Sequence, residues 1–84
     1  MERNERILVI DDEPSVRSLL SKILKKADYE VTLATGGKEG LQLFRENPSD
    51  LVITDIVMPE MNGHDFMIEL KKHYPDVKII AISG

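Results

Sequence analysis

Four short apolar runs divide the chain at intervals that leave room for one helix between each pair. They begin at residues 7, 31, 51 and 77, and the first, third and fourth are almost continuously apolar. Unbroken apolar runs of this length are typical of strands that are covered on both faces. We therefore predict four strands, at residues 7–10, 31–34, 51–54 and 77–82.

The segments between these runs carry apolar residues at helical spacing. In the first, acidic residues and Pro14 stand where a helix should begin. Pro48 ends the second helix, and the third begins near Asn62 or Gly63 and stops at Pro75. The apolar positions are Val16, Leu19, Leu20, Ile23, Leu24 and Ala27 in the first helix, Leu41 and Phe44 in the second, and Phe66, Met67, Leu70 and Tyr74 in the third.

Strands and helices thus alternate along the whole chain, beginning and ending with a strand. Such alternation predicts an α/β domain, with a parallel sheet and helices packed on its faces. Because crossovers between parallel strands are right-handed, the carboxyl ends of all strands lie at one edge of the sheet.

Acidic residues stand at the predicted ends of two strands. Asp11 and Asp12 follow the first strand, Asp55 follows the third, and Ser83 follows the fourth. If strands one and three are neighbours, these side chains converge in a crevice of the kind that binds ligands in open α/β sheets. Carboxylates that lie close together repel one another unless a cation is present. Mg²⁺ suits such oxygen ligands where phosphate is handled, and a carboxylate can act as nucleophile toward phosphorus.

A simpler interpretation of each residue remains open at this point. Asp11 and Asp12 could cap the first helix, and their spacing alone favours neither interpretation. A serine before Gly84 is an ordinary turn signal, so Ser83 alone is uninformative. Asp55 is different, because an acid followed by Ile-Val-Met-Pro is not a usual helix cap.

Three segments resemble those of bacterial response-regulator receiver domains. Residues 7–14 resemble the opening of that family, residues 54–63 its phosphoacceptor segment, and residues 79–84 its fourth strand and switch residue. The resemblance covers essentially the whole chain. It implies a flavodoxin-like, doubly wound parallel sheet with strand order 2-1-3-4. It also implies that residues 1–84 form a partial receiver domain that lacks the family's last helix, strand and helix.

The resemblance implies a role for each residue of the crevice. Asp55 looks like the residue that a histidine kinase or phosphotransfer protein phosphorylates. Asp12 looks like a direct Mg²⁺ ligand, with Asp11 nearby and often acting through water. Val57 looks like a further metal ligand through its backbone carbonyl, and Ser83 like the hydroxyl that binds the phosphoryl group.

The loop after Asp55 resembles the family's as well. Met58 and Pro59 would shape this loop, because a residue before proline is held in extended geometry. Glu60 and the side chain of Val57 would lie near the route of the water that attacks the phosphoryl group. Gly63 would allow the turn into the third helix.

The implied function is that of a phosphorylation-controlled signalling receiver, which switches a partner or an output domain. It is not an enzyme beyond its own phosphorylation and dephosphorylation. The family's lysine on the loop after strand five has no counterpart here, so we expect impaired phosphorylation. Strand four becomes a sheet edge, and long apolar edges pair with other chains. We therefore expect self-association through strand four.

Composition narrows the remaining possibilities. The chain has 84 residues, enough for a single domain, and a formal net charge of −4, which argues against nucleic-acid binding by this segment. It has no cysteine, so a thiolate metal site or thiol nucleophile is excluded. No signal peptide or bilayer-spanning stretch is visible, and we expect a cytoplasmic protein with no membrane contact.

Three other functions fit less well. Phosphatases of the haloacid-dehalogenase type carry the pattern Asp-x-Asp-x-Thr after the first strand. Here Asp11 is followed by Asp12 and Glu13, which does not fit that pattern, and Asp55 has Val57 where the pattern needs a second aspartate. A flavin-binding module needs a Ser/Thr/Gly-rich loop where this chain has acids. A non-catalytic interaction module, whose acids are only caps, remains the third alternative.

Overall fold

A computed structural model describes residues 5–58 and 61–82 of the chain. It contains the seven predicted elements, and each predicted strand boundary lies within one residue of the observed one. In chain order the elements are β1 (Arg6–Ile10), α1 (Pro14–Lys26), β2 (Glu30–Ala34), α2 (Gly37–Glu46), β3 (Leu51–Asp55), α3 (Gly63–His73) and β4 (Lys78–Ile82).

The four strands form one parallel sheet with the order β2-β1-β3-β4. This is the predicted flavodoxin-like arrangement, which is therefore confirmed. The chain moves outward from β1 to β2 on one side and from β3 to β4 on the other. Strand order thus reverses between β1 and β3, and the carboxyl ends of these two strands are where a ligand is expected.

Helix α1 connects the end of β1 to β2 and has well-defined ends. Pro14 is its first residue, and Glu13 precedes it in extended geometry without a side-chain cap. At the other end Asp28 adopts a left-handed conformation, with φ of 69°. The N–H of Tyr29 then donates to the carbonyl of Leu24, a bond typical of helices that end in this way.

One face of the sheet is well covered, by α2 and α3. Leu8 and Val52 on this face are almost completely buried, as are Phe44 from α2 and Phe66 from α3. The apolar sides predicted for the second and third helices are therefore confirmed. This packing holds α3 against the sheet.

The opposite face is covered unevenly, because α1 lies over β1 and β2. Val9, Ile53 and Ile80 are register partners across β1, β3 and β4, so they form one row on this face. Val9 is fully buried, Ile53 is half-buried and Ile80 is 49% exposed. The expectation that β4 is covered on both faces is wrong, because in the described part of the chain no helix lies over the face of β4 that carries Ile80.

The uneven cover of this face is matched by the exposure of apolar side chains on α1. Leu19 and Ile23 belong to its predicted apolar face, yet they are 59% and 54% exposed. Val16, Leu20 and Leu24 are the half-buried ones that turn toward the sheet. The apolar stripe of this helix is therefore wider than the surface it packs on.

Candidate functional site

The ends of β1 and β3 bring three carboxylates together. Ile10 pairs with Thr54 in the parallel register, so the residues that follow them lie side by side. A carboxylate oxygen from each of Asp11, Asp12 and Asp55 lies within 4.8 Å of the other two. The expected convergence of these acids is present in the structure.

Asp11 and Asp55 are both buried, and each is oriented by a backbone N–H two residues further on. Oδ1 of Asp11 accepts from the N–H of Glu13 at 2.9 Å, and Oδ1 of Asp55 accepts from the N–H of Val57 at 3.2 Å. Such turns hold a short acidic side chain in one orientation. Among the described residues, no group donates to the second oxygen of either carboxylate.

Helix capping does not explain the acids at the end of β1. The residue that precedes α1 is Glu13, and its side chain makes no capping hydrogen bond. Among the described residues, the Asp11 carboxylate accepts a hydrogen bond only from the N–H of Glu13, which lies outside the helix. The interpretation of Asp11 and Asp12 as caps of α1 is therefore wrong.

The negative charge of these three acids has no cationic partner within residues 5–58 and 61–82. Asp11 is 3% exposed and Asp55 is 9% exposed, whereas Asp12 is open to solvent. Arg17 comes near, but its Nη1 donates to the backbone carbonyl of Asp11, at 2.7 Å. Buried carboxylates are costly unless a cation or hydrogen bonds compensate them, so this donor set suits a hard divalent cation.

The three acids line an open cleft at the edge of the sheet. This cleft has a volume of about 330 Å³, and the Val57 side chain at its rim is 73% exposed. A neighbouring cleft of about 450 Å³ lies against the start of α2 and shares only Asp12 with the three acids. The smaller cleft is the candidate site, because all three carboxylates line it. Its lining residues are Asp11, Asp12, Glu13, Val16, Asp55 and Val57.

The backbone of Asp55 is held from two sides. The hydroxyl of Thr54 donates to the Asp55 carbonyl at 3.0 Å, and the N–H of Gly63 donates to the Ile56 carbonyl at 2.7 Å. A Cβ on Gly63 would collide with the Asp55 carbonyl oxygen and lie 2.8 Å from Cα of Ile56. The start of α3 therefore rests directly on the backbone of the candidate phosphoacceptor.

The reason for glycine at position 63 differs from the one expected. None of the described glycines has positive φ, so Gly63 is not needed for the turn itself. It is needed because any side chain would separate α3 from the end of β3. Close approach of two backbone segments, and not a special conformation, selects glycine here.

We expect the substitution Gly63→Ala to lower the free energy of unfolding by about 2–4 kcal/mol, because backbone atoms must move to admit the methyl group. Urea unfolding followed by circular dichroism measures this. Gly36→Ala is the matched control, since a Cβ on Gly36 meets nothing within 4 Å and its φ of −169° is ordinary extended backbone. Equal stability of the two variants would contradict the close-packing argument.

Some of the residues with predicted roles near the site lie outside the described part of the chain. Ser83, Pro59 and Glu60 lie outside them, so their predicted roles stay predictions. Met58 is described, and its side chain is buried in the core.

The contact of Arg17 with the Asp11 carbonyl was not predicted, because nothing in the sequence distinguishes Arg17 from the other polar residues of α1.

Comparison with known proteins decides the family. A family model described as the response regulator receiver domain matches residues 7–84. This chain belongs to that family. The chemotaxis protein CheY of Thermotoga maritima is 44% identical over 81 residues, which cover 95% of this chain and 68% of that protein.

Two further proteins show how this receiver domain relates to longer and solved relatives. The probable transcriptional regulator ycf27 of Guillardia theta is 39% identical, over 100% of this chain but only 33% of that protein. The crystal structure of response regulator TrrA from Thermotoga maritima, in complex with Mg²⁺-BeF, has a TM-score of 0.91 and 43% identity. It covers 94% of this chain and 69% of that one.

Membership in this family confirms the predicted class. Receiver domains of two-component systems are signalling proteins that act generally as phosphoacceptors, and they are not conventional enzymes. Their acidic pocket generally binds Mg²⁺, and the described residues of this chain contain such a cluster of aspartates. Within the same residues, no helix has the length and apolar character that a bilayer span requires.

Proposed function

We propose that Asp55 accepts a phosphoryl group from the phosphohistidine of a histidine kinase or phosphotransfer protein. The observation that carries this proposal is the buried Asp55 carboxylate at the end of β3, within 4.8 Å of Asp11 and Asp12. One Asp55 oxygen accepts from Val57, which leaves the other free to attack phosphorus. The P–N bond of the donor breaks, the P–O bond to Asp55 forms, and the histidine nitrogen takes up a proton.

We propose that Mg²⁺ is held by the carboxylates of Asp11, Asp12 and Asp55, with the backbone carbonyl of Val57 as a further ligand. Mg²⁺ binds through a few carboxylates and retains waters, and these three acids offer the oxygen ligands it prefers. When bound, it neutralises the charge that the acids and the incoming phosphoryl group bring together. The complex of TrrA with Mg²⁺-BeF supports this assignment.

We propose that the Ser83 hydroxyl completes the site by binding the phosphoryl group. Ser83 directly follows Ile82 in the sequence, and Ile82 is the register partner of Asp55 in β4. This pairing supports a role for the residue that follows it. Phosphorylation would then act on the loop after β4, through which a partner or an output domain is switched.

The upstream partner is a histidine kinase or phosphotransfer protein. The sequence does not identify the output domain or downstream partner. The excess of acidic residues supports a protein partner over nucleic acid for this segment. Self-association through the outer edge of β4 is a further proposal. The cytoplasmic location, and the assignment of residues 1–84 to part of a larger receiver domain, stay predictions.

We expect slow phosphorylation of the 84-residue chain, because the described residues place no lysine or arginine in an ion pair with the three acids. A cationic group that stabilises transferred phosphoryl charge is worth about 10²–10³ in rate. Incubation with a small phosphodonor and Mg²⁺, followed by mass spectrometry and mapping of the label, tests both the site and the rate. Complete labelling of Asp55 within minutes would contradict the impairment but support the site.

A further inference from the structure

Three hydrogen bonds hold Asp11 in place at the end of β1. Its N–H donates to the carbonyl of Ala34 at 3.2 Å, and its Oδ1 accepts from the N–H of Glu13 at 2.9 Å. Its carbonyl accepts from Nη1 of Arg17, at 2.7 Å. The third bond differs from the others because its donor is a side chain of α1. A side chain of this helix therefore helps to fix the backbone from which Asp11 and Asp12 extend.

The carboxylate of Asp12 has no comparable restraint of its own. Asp12 is exposed, and no group among the described residues donates a hydrogen bond to its carboxylate. The direction of this side chain therefore depends on the backbone that carries it. The carbonyl of Asp11 and the nitrogen of Asp12 belong to one planar peptide group, so the bond from Arg17 fixes the plane from which the Asp12 side chain extends.

Arg17 is well suited to hold this peptide group. It lies near the start of α1, where its own N–H donates to the carbonyl of Glu13 at 3.1 Å. Its guanidinium is planar and charged, and hydrogen bonds from such a group are stronger than those between neutral groups. Arg17 forms no ion pair with any acid of the described residues. Its contact with the backbone thus leaves the carboxylate oxygens of the site open to a metal ion.

We propose that Arg17 is a positioning residue that makes this site prefer Mg²⁺ to Ca²⁺, an inference that rests on the three acids being the metal site. Mg²⁺ requires short bonds in a nearly ideal octahedron, whereas Ca²⁺ accepts more ligands at longer and more variable distances. A freely moving Asp12 carboxylate is therefore more costly for Mg²⁺ than for Ca²⁺. By holding the peptide group before Asp12, Arg17 reduces this cost.

The positive charge of Arg17 has a separate effect on metal binding, and the two effects can be distinguished. The guanidinium repels Mg²⁺ and Ca²⁺ to a similar extent, because both ions carry two positive charges. Loss of the charge should therefore strengthen the binding of both ions by a similar factor. The ratio of the dissociation constants for Ca²⁺ and Mg²⁺ cancels this factor and reports the geometry of the ligands.

The substitution Arg17→Met tests the proposal. Methionine has a long unbranched side chain and favours a helix, but it cannot donate to the Asp11 carbonyl. Separate titrations with Mg²⁺ and Ca²⁺ are followed by the amide NMR signals of Glu13 and Val57, whose N–H groups donate to two of the three acids. Loss of a group that orients a metal ligand usually weakens metal binding by about 10–100-fold, so we expect the ratio of dissociation constants, Ca²⁺ over Mg²⁺, to fall by at least about fivefold.

Lys22→Met is the matched control, because it removes the same charge from an exposed position of the same helix. It should keep the ratio of the parent chain, and circular dichroism checks that each variant folds. If Arg17→Met does not fold, Arg17→Lys replaces it. This variant keeps the charge but exchanges the planar fork for a flexible ammonium group, so the ratio should still fall, by at least about twofold.

The titrations separate failure of this inference from failure of the metal site. An unchanged ratio in a folded Arg17 variant, or an equal fall in Lys22→Met, would overturn the role of Arg17 while leaving the metal site intact. A parent chain whose Glu13 and Val57 signals respond to neither ion would instead contradict the metal site itself, and the role of Arg17 with it.

Discussion

Replacement of Asp55 by asparagine is expected to lower the rate of phosphoryl labelling by at least 100-fold, a loss of at least about 2.7 kcal/mol in transition-state stabilisation. The amide cannot act as the oxygen nucleophile and cannot form the acyl phosphate. Its oxygen can still accept from the N–H of Val57, so the loop after β3 should keep its shape. The experiment compares label per chain after long incubation with a small phosphodonor and Mg²⁺.

The control for this variant is Asp76→Asn. Asp76 is exposed in the turn between α3 and β4, at the opposite end of the sheet from the three acids. It changes the net charge by the same amount without touching the site. Label that persists in Asp55→Asn, or that maps to another residue in the parent chain, would contradict the assignment of the phosphoacceptor. It would also favour an interaction module over a receiver that works by phosphorylation.

Replacement of Asp12 by asparagine is expected to change the response of the fold to Mg²⁺. In the parent chain, about 10 mM Mg²⁺ acting on a site with a dissociation constant near 1 mM adds about 1.4 kcal/mol to the free energy of unfolding. For a chain of this size, that raises the melting temperature by about 6–11 °C. Asp12→Asn removes one of the three carboxylates, so most of this increase should be lost.

Without Mg²⁺ the same variant should melt slightly higher than the parent chain. Asp12 lies within 4.8 Å of two other carboxylates, and its removal relieves their repulsion. Glu13→Gln is the matched control, because Glu13 lines the same cleft but is not one of the three converging acids. It should keep the full Mg²⁺ response. A Mg²⁺ response in Asp12→Asn equal to that of the parent chain would contradict the metal site.

The sequence predicted the elements well because their signals are local. An unbroken run such as residues 7–10 and the spacing of Leu41 and Phe44 depend on a few neighbouring residues only. The candidate acids could also be identified from the sequence, since Asp11 and Asp55 directly follow apolar runs. The prediction that these acids lie close together also required that β1 and β3 be adjacent. That adjacency was implied by the resemblance to receiver domains, and the sheet order confirms it.

The predictions that failed concern burial and close contact. Ile80 and Ile23 have the apolar character of core residues but are about half exposed, because burial depends on what lies across from a side chain. Gly63 was expected to serve a turn, but it allows two backbone segments to touch. Neither outcome is encoded in the residues near these positions along the chain.

By itself, the sequence determined the order of strands and helices, the family of the domain and the identity of its acidic residues, because hydrophobic period and motif spacing are properties of the chain alone. The tertiary structure decided the rest. It showed that a carboxylate oxygen from each of the three acids lies within 4.8 Å of the other two, and that α3 rests on the backbone of Asp55. These features arise where residues distant in sequence meet, and distances between such residues exist only in the folded chain.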